Sequence, residues 1–222
     1  AVGVTALATD ADTGATITYS LSDDAGGKFA INSSTGVVTV ASALDYESAT
    51  SHTITVLATS SDGSTNSGNY TIVVTNTNEA PTITSGATAT FAENATGTVY
   101  TATATDPDAS TTLSYSLSGT DAALFNIDSS TGAVTFKAAP NYEAASDAGG
   151  NNVYDINVIA SDGTLTATKA VAITVTNTND NAVSTLSDSN SGTNTVAENA
   201  TVGTAVGVTA LATDADTGAT IT

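Results

Sequence analysis

The chain has 222 residues, with 22 Asp+Glu against 3 Lys+Arg and a formal net charge of -19. Phosphate binding needs clustered Lys and Arg, so nucleic acid is excluded as a partner, and anionic membranes are disfavoured for the same reason. No apolar run approaches the roughly 20 residues of a spanning helix, and the absence of Cys removes both disulfides and a thiol nucleophile.

Nearly every segment alternates with period two and is rich in Val, Ile and Thr, which predicts half-buried strands. Asp10 and Asp12 follow the opening strand. Phe29 and Ile31 have the spacing of inward-facing core residues, and Ser34-Thr35-Gly36 separates their strand from the next. Asp45-Tyr46-Glu47 comes next, then a strand over His52–Ala58, a turn at Asp62-Gly63 and a strand over Asn69–Thr75. The last strand ends in Asn76-Thr77-Asn78-Glu79. The order then restarts with Ala92-Glu93-Asn94, Asp106-Pro107-Asp108, Phe125 and Ile127, Ser130-Thr131-Gly132 and Asn141-Tyr142-Glu143. A Gly/Asn-rich stretch near Ala144–Asn152 reads as a loop insertion. Asp162-Gly163 is a second turn, and the strand Ala170–Thr176 ends in Asn177-Thr178-Asn179-Asp180-Asn181. No helical stripe is visible. The expected class is all-β, with tandem Greek-key β-sandwich domains of about seven strands each.

Two repeats organise the chain. Residues 205–222 restate residues 1–18 letter for letter, so the period is 204 residues. Inside it, Asp10/Asp106, Phe29/Phe125 and Tyr46/Tyr142 match at an offset of 96, which grows to 101 at Asn76/Asn177 and 105 at Glu93/Glu198. The expected domains are 1–80, lacking its first strand; 81–181, complete; and 182–222, the opening strands of a third. The duplication implies a longer polypeptide.

The acids recur at fixed places. Each domain offers four groups of oxygen ligands: a Glu on an early strand (Glu93, Glu198); an Asp-x-Asp (Asp10/Asp12, Asp106/Asp108, Asp214/Asp216); an Asp/Asn-Tyr-Glu (Asp45/Glu47, Asn141/Glu143); and an Asn-rich strand end. Alternate acids such as Asp106 and Asp108 point the same way from an extended segment, and carboxylates so close repel unless a cation joins them. Calcium takes 6–8 oxygens from carboxylates, amides and carbonyls, which matches this mixture better than magnesium does. Softer metals want the Cys and His that are missing. A lone Asp-x-Asp is ordinarily a solvated turn. The weight rests on all four groups recurring in order.

The segments Ala92-Glu93-Asn94, Asp106-Pro107-Asp108, Leu44-Asp45-Tyr46-Glu47, Ala160-x-Asp162 and Asn177–Asn181 resemble those of cadherin repeats, specifically the cadherin-like repeats of bacterial surface adhesins. The resemblance covers essentially the whole chain. It implies several calcium ions between successive domains. One junction would use Asp45, Glu47, Asn76, Asn78 and Glu79 with Asp106, Asp108 and Asp162. The next would use Glu93, Asn141, Glu143, Asn177, Asn179, Asp180 and Asn181, meeting Asp214 and Asp216; Asp10, Asp12 and Glu198 hold the corresponding family positions. Asn76, Asn141 and Asn177 replace family Asp residues, and Glu79-Ala80 replaces Asp-Asn.

Catalysis is not expected. The lone His52 reads as a surface or edge residue, and no Gly-x-Ser-x-Gly elbow is present. The reading is a calcium-rigidified structural repeat of a long extracellular adhesin or matrix fibre, on a bacterial cell surface. Its partners are neighbouring repeats, with a surface or polysaccharide ligand as a further candidate. Segment 196–213 is expected to complete an equivalent 1–79 domain of a neighbouring chain or copy by strand addition. The rival is a carbohydrate-binding module of a secreted polysaccharide-degrading protein, but sugar platforms present aromatics, and these are 5% of residues with no Trp.

Overall fold

The computed structural model describes residues 1–222. It divides into two units, Ala1–Glu79 and Ala80–Thr222. The first unit has five strands: β1 (Ile17–Asp23), β2 (Phe29–Ile31), β3 (Val38–Val40), β4 (Ser51–Ser60) and β5 (Thr65–Val73). β4 lies between β1 and β5, antiparallel to both, and β2 pairs with β3. Residues ahead of β1 run beside β3, where Ala6 N–H donates to Gly36 O at 2.9 Å and Val38 N–H to Val4 O at 3.0 Å. Tyr19, Phe29, Val38, Ile54, Val56 and Ile72 close the core. His52 is neither at an edge nor fully exposed. It sits half-buried on the central β4, its ring edge-on to Phe29 at 5.8 Å, because its neighbours in the period-two pattern face the same core.

The second unit continues with β6 (Thr82–Ile83), β7 (Thr88–Ala92), β8 (Thr98–Thr101), β9 (Ala104–Thr105), β10 (Ser114–Ser118), β11 (Phe125–Ile127), β12 (Ala133–Phe136), β13 (Val153–Ser161) and β14 (Thr166–Thr176). One sheet has the order β10-β13-β14-β7, and the facing one β11-β12-β8. The pattern that predicts strands also fills the core. Tyr154, Ile156, Val158 and Ala160 alternate inward on β13, and Val171, Ile173 and Val175 do so on β14. Each fully buried aliphatic side chain contributes about 1.5–3 kcal/mol. β7 runs parallel to β14, with Ala92 opposite Thr176, so the residue after β7 is delivered to the end of β14.

The strand count exceeds seven here because the short β6 and β9 pair with each other, antiparallel, in a two-stranded sheet of their own. The matching strand of the first unit starts four residues before Asn69 and stops at Val73. The Thr-Gly turns lie where expected. Asp128 Oδ1 accepts Ser130 and Thr131 N–H at 2.9 and 2.8 Å, and Gly132 has φ 71°. A Cβ on Gly132 would lie 2.3 Å from Ala102 O. Gly132→Ala is therefore expected to cost about 1–3 kcal/mol, read as a lower urea midpoint.

The tail contributes a two-residue ladder, β15 (Ser187–Asp188) with β16 (Ala210–Leu211). Val196, Val202, Val206 and Val208 are exposed. Of the segment 196–213, Ala210–Leu211 is the part held in a sheet.

Candidate metal centre

Glu93 follows β7 directly. Its N–H continues the ladder to Thr176 O at 3.1 Å, which turns the side chain under the Asn141–Glu143 turn and the Asn177–Asn181 segment. There Oε2 accepts Tyr142 N–H and Oε1 accepts Thr178 N–H, both at 2.7 Å. The group is 3% exposed, and these two backbone donors hold its carboxyl below the usual range for Glu. Glu93 thus ties three separate segments together as an anion.

Glu143 comes from the turn. Both of its carboxylate oxygens are buried and have no hydrogen-bond partner. Burial pushes its carboxyl up, reinforced by the nearby charges of Glu93 and Asp216. Asp180 comes from the segment after β14 and is exposed as a residue, but partial desolvation of its carboxyl, followed by the charges of Glu93 and Asp216, raises it too. Carboxylate oxygens of Glu93, Glu143 and Asp180 lie within 4.8 Å of one another. Asn94 donates through Nδ2 to Asp180 Oδ2.

Asp216 arrives from the tail and is 5% exposed. Its Oδ2 accepts Asn181 N–H at 2.9 Å, and its Oδ1 accepts Asn181 Nδ2 at 3.0 Å and Asp180 N–H at 3.3 Å. The Asn181 side chain, first among these donors, draws the Asp216 carboxyl down. Asp214 Oδ1 accepts Asp216 N–H at 3.0 Å. Asn177 Nδ2 donates to Thr217 O at 3.2 Å, while its Oδ1 is buried without a partner.

Four elements therefore converge on one acidic pocket containing orphaned oxygens from a carboxylate and an amide. A buried, unpaired carboxylate is costly. A hard divalent cation accepts that mixture of donors and offsets the repulsion, so the residues fit such an ion. Glu93, Glu143, Asp180 and Asn177 are the ones that would hold it, with Asp216 close by.

The remaining expected ligands lie outside this pocket. Asn141 Oδ1 caps Ala144 N–H at 2.8 Å, and Asn179 is exposed with no side-chain bond. Glu198 is exposed and makes no hydrogen bond. The Asp-x-Asp pairs are not extended. Asp10, Asp106 and Asp214 each accept the N–H two residues on, at 2.8, 2.9 and 3.0 Å, because Asp readily closes such a turn. Asp12 is exposed, Asp108 is half-buried, and Asp106 Oδ2 is buried without a partner. In the first unit Asp45 receives Ser48 Oγ at 2.8 Å and Ser48 N–H at 3.1 Å, which holds its carboxyl low. Glu47, Asn76, Asn78 and Glu79 are exposed, and carboxylate oxygens of Glu47 and Glu79 lie within 4.8 Å of each other. Asp162 Oδ1 accepts Thr164 and Leu165 N–H in its turn.

Sequence reasoning missed two buried acids. Asp121 accepts Ala148 and Asp155 N–H at 2.8 and 2.7 Å, and Asp147 accepts Asn151 and Asn152 N–H, both at 3.0 Å. They pin the insertion around 144–152, and Asn152 Nδ2 in turn holds Tyr142 O at 2.9 Å. The Gly/Asn-rich composition signalled a loop but not its anchors.

The pocket sets a pH dependence. In chelator, groups with raised folded-state values bind protons more tightly when folded, so their protonation stabilises the fold. As pH falls from neutral through the values of Glu143 and Asp180, the melting temperature of the second unit is expected to rise. At lower pH it falls, as the depressed Glu93 and Asp216 become protonated. Calorimetry across that range with chelator checks the maximum.

A cadherin domain model matches residues 2–76 and 87–176. Mouse Protocadherin Fat 4 is 37% identical over 125 residues, covering 53% of this chain and 2% of that protein. Mouse Cadherin-23 is 35% identical over 181 residues, covering 73% of this chain and 5% of that protein. Among solved structures, mouse Cadherin-23 EC22-24 superposes with a TM-score of 0.53 at 31% identity, over 72% of this chain and 52% of that one. The Protocadherin gammaB7 EC3-6 cis-dimer gives 0.66 at 24% identity, over 91% and 52%, a likeness of fold.

Proposed function

The chain belongs to the cadherin domain family, and from that premise we propose that it is a calcium-stiffened structural repeat of a long extracellular adhesin or matrix fibre on a bacterial surface. Cadherin domains are non-enzymatic adhesion modules that take calcium at their junctions. The observation that carries the reading is Glu143, with both carboxylate oxygens buried and unpartnered within 4.8 Å of Glu93 and Asp180 oxygens. A bound cation turns mutual repulsion into a cross-link between β7, the 141–143 turn, the end of β14 and the 214–216 turn. The residues in it come from the body of a domain and from the opening of the next, so the ion resists bending there. The tail of each copy completes the 1–79 domain of its neighbour. The net charge of -19 supports solubility and repulsion once the ions are gone.

The polysaccharide reading gains little. Tyr70 is the one aromatic among the exposed large apolar side chains, and stacking platforms need several.

The test is calcium addition followed by chelation. At a free calcium concentration 100 times Kd, a site specific to the folded state adds about 2.7 kcal/mol. The melting temperature should rise accordingly and scattering should report a stiffer particle. Identical melting curves and scattering profiles with calcium and with chelator would remove the reading.

A further inference from the structure

Neither carboxylate oxygen of Glu143 has a hydrogen-bond partner, so its place in the pocket depends on the backbone that carries it. That backbone is gripped from two directions. Glu93 Oε2 accepts Tyr142 N–H at 2.7 Å, and Asn152 Nδ2 donates to Tyr142 O at 2.9 Å. The second bond falls on the peptide group that joins Tyr142 to Glu143, and it fixes the plane from which the Glu143 side chain departs. Asn152 is itself held on both sides. Its N–H donates to Asp147 Oδ1 at 3.0 Å, and its carbonyl accepts Val175 N–H from β14 at 2.8 Å. Asp121, 4% exposed, takes Ala148 N–H at 2.8 Å and Asp155 N–H at 2.7 Å, which fastens the loop to β13. A chain of bonds therefore runs from the sheet through the 144–152 loop and ends on the peptide of Glu143.

The first unit shows what the loop adds. Thr50 holds the ladder position of Asn152, since its carbonyl accepts Val74 N–H at 2.9 Å. Three residues, 48–50, lead from Glu47 to β4, whereas nine, 144–152, lead from Glu143 to β13. The ladder bond thus needs neither an Asn nor the longer loop, and Thr50 carries no amide to reach the turn before it. Asn152 also has φ 61°, a left-handed conformation that Asn enters more readily than other residues with a Cβ. That conformation is the one from which its side chain meets Tyr142 O.

We infer that Asn152 is a positioning residue for the divalent ion. The 144–152 loop, tied down by Asp121 and Asp147, holds the Tyr142–Glu143 peptide so that the Glu143 carboxylate stays in the pocket before any ion arrives. Without that hold, repulsion from Glu93 and Asp180, whose oxygens lie within 4.8 Å, would swing the turn outward, and the ion would have to draw it back. A ligand fixed in advance binds more tightly because less ordering remains to be done. The affinity of this site is therefore set by a loop outside the ligand set. The inference rests on the calcium reading and deepens it.

The experiment combines calcium titration with residue-resolved hydrogen exchange in chelator. Asn152→Gly removes the amide and suits the backbone at this position, so the fold should persist. Its calcium dissociation constant should rise about 10–100-fold, the usual loss when a group supporting a ligand is removed. In chelator, exchange at the Tyr142 N–H should quicken about fivefold, the share of one neutral hydrogen bond. Asn152→Ala brings backbone strain in place of added freedom and should weaken calcium binding to the same degree, which separates the lost amide from a loosened chain. Asn151→Gly is the control. Asn151 Oδ1 accepts Val153 N–H at 3.0 Å in the same loop and does not reach Tyr142, so this variant should bind calcium as the parent does. Parent-like affinity in both Asn152 variants overturns the inference, as does an equal loss in Asn151→Gly. Exchange that quickens along β13 and β14 as much as at Tyr142 also overturns it, since Asn152 would then be a general structural residue. A parent that binds calcium while the variants match it defeats this inference alone, whereas a parent that ignores calcium defeats the calcium reading and this inference together.

Discussion

Replacing Glu143 with Ala is expected to shift stability in opposite directions with and without calcium. Without the ion, the native carboxylate is buried, unpartnered and beside Glu93 and Asp180. Its removal deletes a desolvated charge and a like-charge contact, so the melting temperature in chelator should rise. With calcium, the same change deletes a ligand, and affinity should fall on the order of 100-fold or more, the upper range for losing a supporting group around a metal. Calcium should then no longer stabilise the variant at concentrations that saturate the parent. Asp128→Ala is the control. Asp128 caps the Ser130–Thr131 turn, and the bonds from that turn hold its carboxyl low, so its loss should lower stability equally in both conditions. A Glu143→Ala protein weakened to the same degree in calcium and in chelator would show a purely structural role.

Tyr154→Ala carries the largest expected cost to the fold, about 3–5 kcal/mol. The ring is 0% exposed and meets Phe125 and Phe136 edge-on at 5.9 and 5.0 Å. Its hydroxyl lies 3.2 Å from Ser146 Oγ and accepts Ser146 N–H at 3.3 Å. Tyr154→Phe keeps the ring and should cost about 1 kcal/mol for the lost hydrogen bonds. The larger variant should also weaken calcium binding. Tyr154 sits on β13, which pairs with β14, which in turn holds β7 and the Glu93 that follows it. Urea denaturation gives the stabilities, and calcium titration of both variants gives the coupling.

The strands were readable because alternation and burial are the same fact seen twice. Phe125 and Ile127, or Val171, Ile173 and Val175, had to face one side whatever their partners. The Thr-Gly turns were readable because Gly36 and Gly132 sit where a Cβ would meet the opposing backbone at 2.4 and 2.3 Å. The acids were readable as a set but not as individuals. Glu93 and Asp216 became buried anions only through the N–H groups of Tyr142, Thr178 and Asn181, donors that every sequence has and that topology alone aims. Asn141 and Asp45 spent their oxygens on local turns, a competition within three residues that spacing does not reveal. The parallel approach of β7 to β14 brings together residues more than eighty positions apart, and no local pattern announces it.

The central claim is that Glu93, Glu143 and Asp180 share one divalent ion. Anomalous diffraction from crystals of the chain grown in calcium, and again with terbium in its place, locates that ion directly. The account predicts a peak among these three carboxylates, about 2.3–2.6 Å from their oxygens and with Glu143 bound. Peaks confined to exposed turn acids such as Asp62 or Asp128, with the Glu143 carboxylate still unliganded, would contradict it.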